Sequence, residues 1–346
     1  MQALLKRQLS LSPELQQYYT FLDGAWKLFP PISTNAPHRP PNSDSFQTMH
    51  LITWNIDFMA ECPQERMSSA ISHLESLVST IPASSPVVIF LQEMQQRARQ
   101  NFATTFKESI GASSYSKCAN DLTQLSQASW IRERFSMSDL TPANWAASYG
   151  TVTLVDHRLT IVQVSRLKFI SEYGRDALLV DIAFPGTEKV LRLCNVHLDS
   201  MDGSMRPIQW KGVAQWLQRK DDGVAASILA GDCNANRPRD KTEPQENGFR
   251  DAYLELGGVE DVEEGATWGF QCPSSARWGP TRLDKVVFWG NLEVKELERI
   301  GVGIRVEDED AKKELGEWDF VTDHYGLVAK FELPGTLENT IRKYTH

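Results

Sequence analysis

The chain has few cysteines, no long apolar run and no excess of positive charge, and each absence excludes a class of protein. Its five cysteines form no CxxC pair, and their odd number predicts an intracellular, reducing compartment, nuclear or cytoplasmic, without a disulfide framework. No stretch approaches the roughly 18 apolar residues of a membrane span, and the N-terminal residues lack the apolar core of a secretory signal. The formal net charge of −9 is untypical of a non-specific nucleic-acid coat, although it leaves room for a local basic groove.

Composition divides the 346 residues into three regions. Residues 1–48 include a stretch rich in Pro, Ser and Asn and are predicted to form a partly flexible extension and linker, with a short helix starting near Ser12. Residues 49–335 contain the apolar runs and are predicted to form one large domain, followed by a C-terminal tail over residues 336–346.

Apolar runs of strand length are frequent between residues 49 and 335, and amphipathic helical segments are few. Four strand-like runs follow one another closely between Tyr149 and Leu198, which is typical of a meander. We therefore predict an α/β (α+β) fold with four layers in the order α-β-β-α, in which two packed mixed β-sheets are flanked by helices.

Polar residues stand at or near the C-terminal part of six of these runs. They are Asn55 and Asp57, Glu93, Asn195 and His197, Asp232 and Asn234, Asp284, and Asp323 and His324. Such groups cannot be buried without partners, because an unpaired polar group costs free energy in an apolar interior. If the strands lie side by side, their polar ends converge on one crevice.

The run ILAGDCNAN shows this pattern most clearly. Gly231 allows the backbone to turn, and Asp232 and Asn234 point to the same side if the extended geometry persists. A carboxylate beside an amide is able to hold a water molecule next to a metal ion. The same composition also suits an ordinary turn, and the run by itself leaves both interpretations open.

In order along the chain, the motifs TWN, LQE, NVHL, GDCN, RLD and TDH resemble those of the endonuclease/exonuclease/phosphatase superfamily, whose members cut phosphoester bonds. The longer segments TWNID, VIFLQEM, YGRDALLVDI, NVHLDS, LAGDCNAN, TRLDKVVF and TDHYGL are similar to the 5′-tyrosyl-DNA phosphodiesterases (the tyrosyl-DNA phosphodiesterase 2 family) within it. The resemblance runs from about His50 to Leu333 and implies a DNase I-like catalytic domain over residues 49–335. It also implies metal-dependent attack of water on phosphorus at the bond between a tyrosine and DNA, which is the repair of topoisomerase-type adducts.

Mg²⁺ is the expected cofactor, with Mn²⁺ as an alternative, because this chemistry needs charge neutralisation on the phosphoryl oxygens. Glu93 is the best candidate ligand, since Mg²⁺ prefers one or two carboxylates and keeps several waters. The resemblance implies that Asp323, Asn55 and Asp57 complete the metal site, and it counts Asn55 among the catalytic residues as well.

Five further residues are candidates for the catalytic step. Asp232 is expected to act as the base or the orienter of the attacking water, and Asn234 to bind a phosphate oxygen or that water. His324 would stabilise charge on the phosphoryl oxygens as an imidazolium, and the resemblance implies that Asp284 holds its ring. His197 would donate a further hydrogen bond to the phosphate or the leaving group.

Five residues are predicted to contact the substrate. They are Asn195, Ser200, Arg237, Trp268 and Trp278. The two tryptophans either stack on a nucleotide or pack in the core and rim. Members of the family often carry an arginine four residues after the GDxN aspartate, but this chain has Asn236 there, which leaves Arg237 or Arg239 as its substitute.

The expected partner is a DNA 5′ end carrying a tyrosyl or peptide adduct, bound by a monomer that does not associate with membranes. The missing arginine leaves open another phosphodiesterase or nuclease of the superfamily, acting on RNA, abasic DNA or a small phosphodiester. A non-catalytic scaffold with the same fold is a third hypothesis. A thiol nucleophile at Cys233 is disfavoured, because the amide and the metal-type carboxylates already supply a hydrolytic route.

Overall fold

The computed structural model describes residues 1–30, 46–57, 59–96 and 119–333. They form two mixed β-sheets packed face to face with helices on the outer sides, as the sequence predicts. Most of the stretch rich in Pro, Ser and Asn lies outside the described residues, as does the predicted tail over residues 336–346. None of the helices within the described ranges is long and apolar enough to cross a membrane.

The first sheet has seven strands, which we number with all others in chain order. Across the sheet they are β1 (Glu14–Gln16), β8 (Ile161–Lys168), β9 (Asp176–Ala183), β10 (Val190–His197), β11 (Val224–Asp232), β13 (Asp284–Gly290) and β12 (Arg250–Asp251). Strands β10 and β11 run parallel, and the other neighbours run antiparallel. The carboxyl ends of β10 and β11 therefore meet at one edge of this sheet.

The second sheet has eight strands. They are β14 (Glu293–Ile300), β15 (Gly326–Glu332), β4 (Thr48–Asn55), β5 (Val87–Gln95), β7 (Tyr149–Asp156), β6 (Phe135–Met137), β2 (Tyr18–Leu22) and β3 (Ala25–Phe29). Here β4 and β5 are the parallel pair. The predicted meander is correct for β8, β9 and β10 but wrong for β7, because β5 and β6 occupy both hydrogen-bonding edges of β7 in the second sheet.

Nine α-helices lie within the described residues. They are α1 (Gln2–Leu9), α2 (Pro63–Thr80), α3 (Asp121–Gln127), α4 (Ser129–Arg134), α5 (Arg206–Leu217), α6 (Glu243–Glu246), α7 (Ala252–Glu255), α8 (Ser275–Trp278) and α9 (Glu309–Leu315). Helix α2 covers the second sheet with buried residues at helical spacing, Met67, Leu74 and Val78 among them. Helix α5 covers the first sheet with Trp210 and Val213.

Alternation along β5 explains why its sequence is an unbroken apolar run. Val88 and Phe90 face the core between the two sheets, whereas Ile89 and Leu91 pack in the cluster beneath α2. Successive side chains of a strand point to opposite faces, and a sheet covered on both sides buries both sets. The strand β5 therefore contributes to two separate clusters, one between the sheets and one beneath α2.

The N-terminal residues differ from the prediction. The helix expected near Ser12 is wrong, since residues 14–29 form β1, β2 and β3 and join both sheets. Asp23 and Gly24 both have positive φ, 53° and 77°, in a two-residue turn between β2 and β3, and such turns favour Asp-Gly. Tyr18 stacks on Phe29 across the hairpin, with ring centroids 5.3 Å apart. Within the described part of the predicted extension, residues 14–29 thus belong to the two sheets, whereas α1 packs against α5.

Candidate active site

The parallel pairs of the two sheets end at the same edge of the molecule, and the predicted polar side chains meet there. The structure brings together Asn55, Asp57, Glu93, His197, Asp232, Asn234, Asp284, Asp323 and His324. The expected position at the C-terminal part of a strand is wrong for Asp284, Asp323 and His324: Asp284 begins β13 opposite Asp232, and Asp323 and His324 precede β15. Both strands run antiparallel to their neighbours β11 and β4, so their starts reach the same edge.

Asp232 is the centre of the cluster. Its Oδ2 lies 3.0 Å from Asn55 Nδ2, 3.3 Å from His197 Nε2 and 3.9 Å from His324 Nε2. Burial alone would raise the pKa of Asp232, but the charge on His324 and the hydrogen bond from His197 lower it well below the usual range. The side chain is therefore a lasting carboxylate, which suits it better to orient a water molecule than to act as a strong base.

The backbone around Asp232 answers the question left open by the run ILAGDCNAN. A Cβ on Gly231, which has φ of 144°, would lie 2.0 Å from the carbonyl oxygen of Val196 on β10. Extended geometry ends at Asp232, because Asn234 has φ of 48° and its backbone NH donates to Asp232 Oδ1 over 2.8 Å. The Asn234 amide donates to Leu198 O and Asp232 Oδ2 over 3.0 and 3.3 Å. The turn at Asp232 and Asn234 is therefore itself part of the candidate site. The extended geometry of β11 does not persist to Asn234.

A bulge directs Glu93 into the crevice. The pairing of β5 with β7 shifts register between Leu91 and Met94, and Glu93 has φ of 60°. In a regular strand Glu93 would point to the outer face with Leu91. Because the bulge inserts a residue, Leu91 and Met94 both pack in the outer cluster and Glu93 Oε1 lies 3.6 Å from His197 Nε2.

His324 and Asp284 form a buried pair, with Nδ1 and Oδ2 2.8 Å apart. Burial lowers the pKa of His324, but the carboxylates of Asp284, Asp323 and Asp232 raise it well above its ordinary value. These negative charges favour the imidazolium form of the ring. Trp54 fixes the backbone here, because its Nε1 donates to the His324 carbonyl oxygen over 3.0 Å.

Arg175 is a site residue that the sequence interpretation missed. Its Nη1 lies 2.8 Å from His197 Nδ1, and a guanidinium can only donate hydrogen bonds. Nδ1 must therefore accept, and we assign the His197 proton to Nε2, which faces Asp232 and Glu93. The guanidinium also stacks 4.8 Å from the ring centroid of Tyr149. The signal that could have found Arg175 is its place in the segment YGRD, within the family resemblance.

The carboxylates of the crevice fit a divalent cation. Glu93, His197 and Asp232 each bring one potential ligand atom to within 4.8 Å of the others. A protonated His197 Nε2 cannot ligate a metal, which leaves the carboxylates for that role. Burial raises the pKa of Asp57, and the negative charges of Asp323 and Glu93 raise it further. A cation would relieve this repulsion, and an oxygen-rich set of this kind suits Mg²⁺.

Asn55 and Trp268 support the cluster through hydrogen bonds. Asn55 Oδ1 accepts from the backbone NH of Asp57 over 2.9 Å, while its amide donates to Asp232. Trp268 Nε1 donates to Asp323 Oδ2 over 2.8 Å and so holds a predicted metal ligand. The indole therefore has a defined polar contact in the site, in addition to any stacking on a substrate.

The structure gives Asn195 a different place from the predicted substrate contact. The residue is fully buried on the inner face of β10. Its Oδ1 accepts from Gln92 Nε2 over 2.8 Å, and its Nδ2 donates to the Val152 carbonyl over 2.9 Å. Both partners belong to the second sheet, so Asn195 joins the two sheets beneath the crevice. A buried amide needs such partners, and they occupy both of its ends.

Asn236 has a buried partner where the family often has an arginine. Its Oδ1 accepts from Arg206 Nη2 over 2.9 Å, and Arg206 is itself buried in an ion pair with Asp240. Arg237 is half exposed and pairs with Asp202 on the loop after β10. The positive charges available to a substrate in this region are therefore Arg237, paired with Asp202, and the half-exposed Arg239, which donates to the Gly203 carbonyl.

Ser200 and Trp278 are both accessible to solvent. Ser200 is partly exposed in the loop that follows β10, and Trp278 is 65% exposed beneath the guanidinium of Arg277. Their predicted substrate contacts stay predictions.

Residues 52–324, most of the chain, match the Endonuclease/Exonuclease/phosphatase family. A comparison with curated proteins finds no match. The fold is similar to truncated Caenorhabditis elegans TDP2, with a TM-score of 0.60 and 20% identity over 83% of this chain and 98% of that one. The fold is also similar to D. rerio TDP2 complexed with single-strand DNA product, with a TM-score of 0.57 and 18% identity over 83% of this chain and 99% of that one.

An endonuclease/exonuclease/phosphatase family protein from Leptotrichia buccalis C-1013-b gives a TM-score of 0.54 and 15% identity, over 82% of this chain and 100% of that one. Likenesses at such low identity establish the fold, and they confirm the predicted DNase I-like sandwich. The match over residues 52–324 includes every catalytic motif from Asn55 to His324. The chain therefore belongs to the endonuclease/exonuclease/phosphatase family and is a metal-dependent phosphoric diester hydrolase.

Proposed function

We propose that the protein hydrolyses the bond between a tyrosine, free or within a peptide, and the 5′ phosphate of DNA, with Mg²⁺ as cofactor and Mn²⁺ as a substitute. The observation that carries the proposal is the convergence on Asp232 of Asn55, His197 and the His324 imidazolium, beside the Glu93 carboxylate. Fold similarity to two TDP2 proteins, one of them bound to single-strand DNA product, supports the choice of substrate.

In this proposal Asp232 accepts a hydrogen bond from the attacking water and so orients it toward phosphorus. The buried His324 imidazolium faces the same space and stabilises negative charge on the phosphoryl oxygens, where low dielectric strengthens the interaction. A divalent cation bound at Glu93, Asp57 and Asp323 would supply further neutralisation of a phosphoryl oxygen.

The His197 Nε2–H points into the crevice and is the donor placed to contact the phosphate or the departing oxygen. A phenol has a pKa near 10, far below that of an alcohol, so a tyrosyl oxygen leaves with less assistance. The new bond joins the water oxygen to phosphorus, the bond from phosphorus to the phenolic oxygen breaks, and the water proton passes to solvent or the phenolate. The products are tyrosine and DNA with a 5′ phosphate.

The test uses the full chain and an oligonucleotide with a 5′-phosphotyrosyl end. We expect Mg²⁺-dependent release of a 5′-phosphorylated oligonucleotide, loss of activity with EDTA and recovery when Mg²⁺ is returned. Asp232→Asn should lower the rate by about 10²–10⁴-fold. Asp222→Asn is the matched control, since that aspartate is exposed and precedes the opposite end of β11. Absence of metal-dependent release by the wild-type chain contradicts the proposal.

A different phosphodiesterase activity is the second candidate. The observation that favours it is Asn236 at the position where the family often has an arginine, because the neighbouring Arg206 is buried in its ion pair with Asp240 and cannot take that role. RNA, abasic DNA and a small aryl phosphodiester should be assayed beside the phosphotyrosyl substrate. A preference for the small diester, with no effect of salt on KM, would favour this candidate. The scaffold hypothesis is not retained, because the chain is an enzyme by its family.

The remaining assignments follow from the substrate. If the phosphotyrosyl bond is the substrate, the protein acts in the repair of DNA adducts, in the nucleus, the cytoplasm or both. We further propose that it acts as a monomer, because the crevice is built from side chains of one chain.

A further inference from the structure

We propose that Gln8, on the N-terminal helix α1, is a positioning residue for the active site. It holds the turn over residues 170–175, so that Arg175 keeps the His197 proton on Nε2. The effect on catalysis rests on the function proposed above, whereas the effect on the histidine does not. The N-terminal segment would then belong to the working enzyme, although it precedes every catalytic motif in the sequence.

Gln8 is a polar side chain that is only 1% exposed, because α1 packs against α5. Its Nε2 donates to the carbonyl of Lys168 over 3.2 Å, and its Oε1 accepts from the backbone NH of Ile170 over 2.6 Å. The contact is close, since a Cβ on Gly212 of α5 would lie 2.6 Å from Gln8 Cγ. Loss of this side chain removes the partner of two partly buried backbone groups, the Lys168 carbonyl and the Ile170 NH.

A second glutamine holds the other side of Ile170. Gln209 Nε2 donates to the Ile170 carbonyl over 3.2 Å, and Gln209 Oε1 accepts from the backbone NH of Asp199 over 3.1 Å. Both backbone polar groups of Ile170 are therefore bound by side chains, one from α1 and one from α5. The start of the turn is clamped between two helices.

Asp199 continues the network into the turn. Its carboxylate accepts from the Ser171 hydroxyl and from the backbone NH of Glu172. Ser171 Oγ in turn accepts from the backbone NH groups of Tyr173 and Arg175, over 3.0 and 2.9 Å. The backbone of Arg175 is thus fixed through Ser171 to the clamp at Ile170.

The last contact is the one with chemical consequence. Arg175 Nη1 donates to His197 Nδ1 over 2.8 Å, and this hydrogen bond selects the Nε2–H form of the ring. If the turn relaxes, Nδ1 can carry the proton instead, and Nε2 becomes an acceptor that faces the carboxylates of Asp232 and Glu93. That form loses the donor directed into the crevice.

The first experiment needs no substrate. Nitrogen-15 NMR of the full chain with labelled histidines reports which ring nitrogen carries the proton, and the His197 signal is assigned by its loss in His197→Asn. We expect the Nε2–H form in the wild type and a measurable fraction of the Nδ1–H form in Gln8→Met, which keeps the side-chain length and removes both hydrogen bonds. An unchanged ring in Gln8→Met overturns the proposal.

Gln215→Met is the matched control, because Gln215 also joins α5 to α1, through Leu9 O at 3.3 Å, but does not contact the turn. We expect its His197 signal to equal that of the wild type. If Gln8→Met does not fold, Ser171→Ala interrupts the same network nearer to Arg175 and should give the same Nδ1–H fraction. A folded Ser171→Ala with the wild-type ring would equally contradict the proposal.

The second experiment measures coupling to catalysis with the phosphotyrosyl substrate. We expect Gln8→Met to lower kcat by about 2- to 30-fold with little change in KM, and to have no further effect in an Arg175→Ala background. If the reductions in kcat of the two single variants multiply in the double variant, Gln8 does not act through Arg175. If the wild type does not cleave this substrate, the NMR result still decides the positioning role, so the two failures are distinguishable.

Discussion

The side-chain amide of Asn55 donates a 3.0 Å hydrogen bond to Asp232. Asn55 ends β4 of the second sheet and Asp232 ends β11 of the first, so this contact joins the two sheets within the crevice. Both residues lie on inner faces, in phase with the core residues Leu51 and Ile228 of their strands. The orientation of the central carboxylate therefore depends on how the two sheets pack, and not on either sheet alone.

The charge of His324 predicts the pH dependence of the rate. We expect kcat/KM to fall as pH rises through the raised pKa of His324, because the imidazolium is the active form. Asp284→Asn removes a neighbouring negative charge, lowers that pKa and should move the alkaline limb to lower pH. The measurement is kcat/KM against pH for both proteins. A flat wild-type profile, or a limb that does not move in Asp284→Asn, contradicts the assignment.

The same pair has a consequence for stability. Because the pKa of His324 is higher in the folded than in the unfolded chain, its contribution is fully present below the unfolded value near 6.5 and is lost as pH rises through the folded value. We expect Asp284→Asn to reduce this pH dependence of the free energy of unfolding. Denaturant melts at several pH values measure it, and equal slopes for both proteins would count against a charged pair.

Metal binding should be visible without any substrate. We expect Mg²⁺ to raise the melting temperature of the wild type, since a ligand that binds only the folded state stabilises it by about 2.7 kcal/mol at one hundred times its Kd. Glu93→Gln should abolish the shift, whereas Glu75→Gln, an exposed change on α2, should retain it. An equal Mg²⁺ shift in Glu93→Gln would place the cation elsewhere.

Gly231 should tolerate no side chain. We expect Gly231→Ala to destabilise the fold by roughly 2–5 kcal/mol, because its Cβ would lie 2.0 Å from the Val196 carbonyl oxygen. Gly223, just before the start of β11, is the control: its φ is also positive, but a Cβ there meets no described atom within 4 Å. Gly223→Ala should cost about 1 kcal/mol. Equal losses in denaturant unfolding would show that the close approach of β10 is unimportant.

The pair of Arg237 and Asp202 predicts how salt affects DNA binding. We expect Arg237→Ala to weaken binding of single-stranded DNA and to reduce the slope of log K against log salt by about 0.7. Asp202→Ala should strengthen binding, because it removes the carboxylate that competes with phosphate for the guanidinium. Arg219→Ala, near the opposite end of β11, should change neither. An unchanged slope in Arg237→Ala would exclude this arginine as the substitute for the missing one.

Cys233 should prove dispensable for chemistry. The thiol is buried against the first sheet, and burial raises its pKa far above neutral, so it is not a nucleophile. We expect Cys233→Ala to keep its rate within a few-fold and to lose about 1 kcal/mol of stability. A folded Cys233→Ala with no activity would reopen the thiol route.

Much of the site follows from local patterns. Strands such as β11 are marked by apolar runs, and the polar residues that flank these runs, Asp232, His197 and Asp284 among them, stand out without a structure. Asp23 and Gly24 are typical of a two-residue hairpin turn, and the flanking Tyr, Phe and Trp residues favour strands. The predicted helix near Ser12 therefore overlooked a local signal.

The sequence by itself determined the four-layer architecture, because strand-length apolar runs are frequent in it and helical segments are few, and its ordered motifs indicated the family through their resemblance. Only the tertiary structure decided which polar residues face the crevice. Both faces of the central strands are apolar, so alternation cannot tell the inner face from the outer one, as the buried bridge at Asn195 and the bulge at Glu93 show. The proton position on His197 depends on Arg175, which lies in the turn before β9 and is brought close only by the fold.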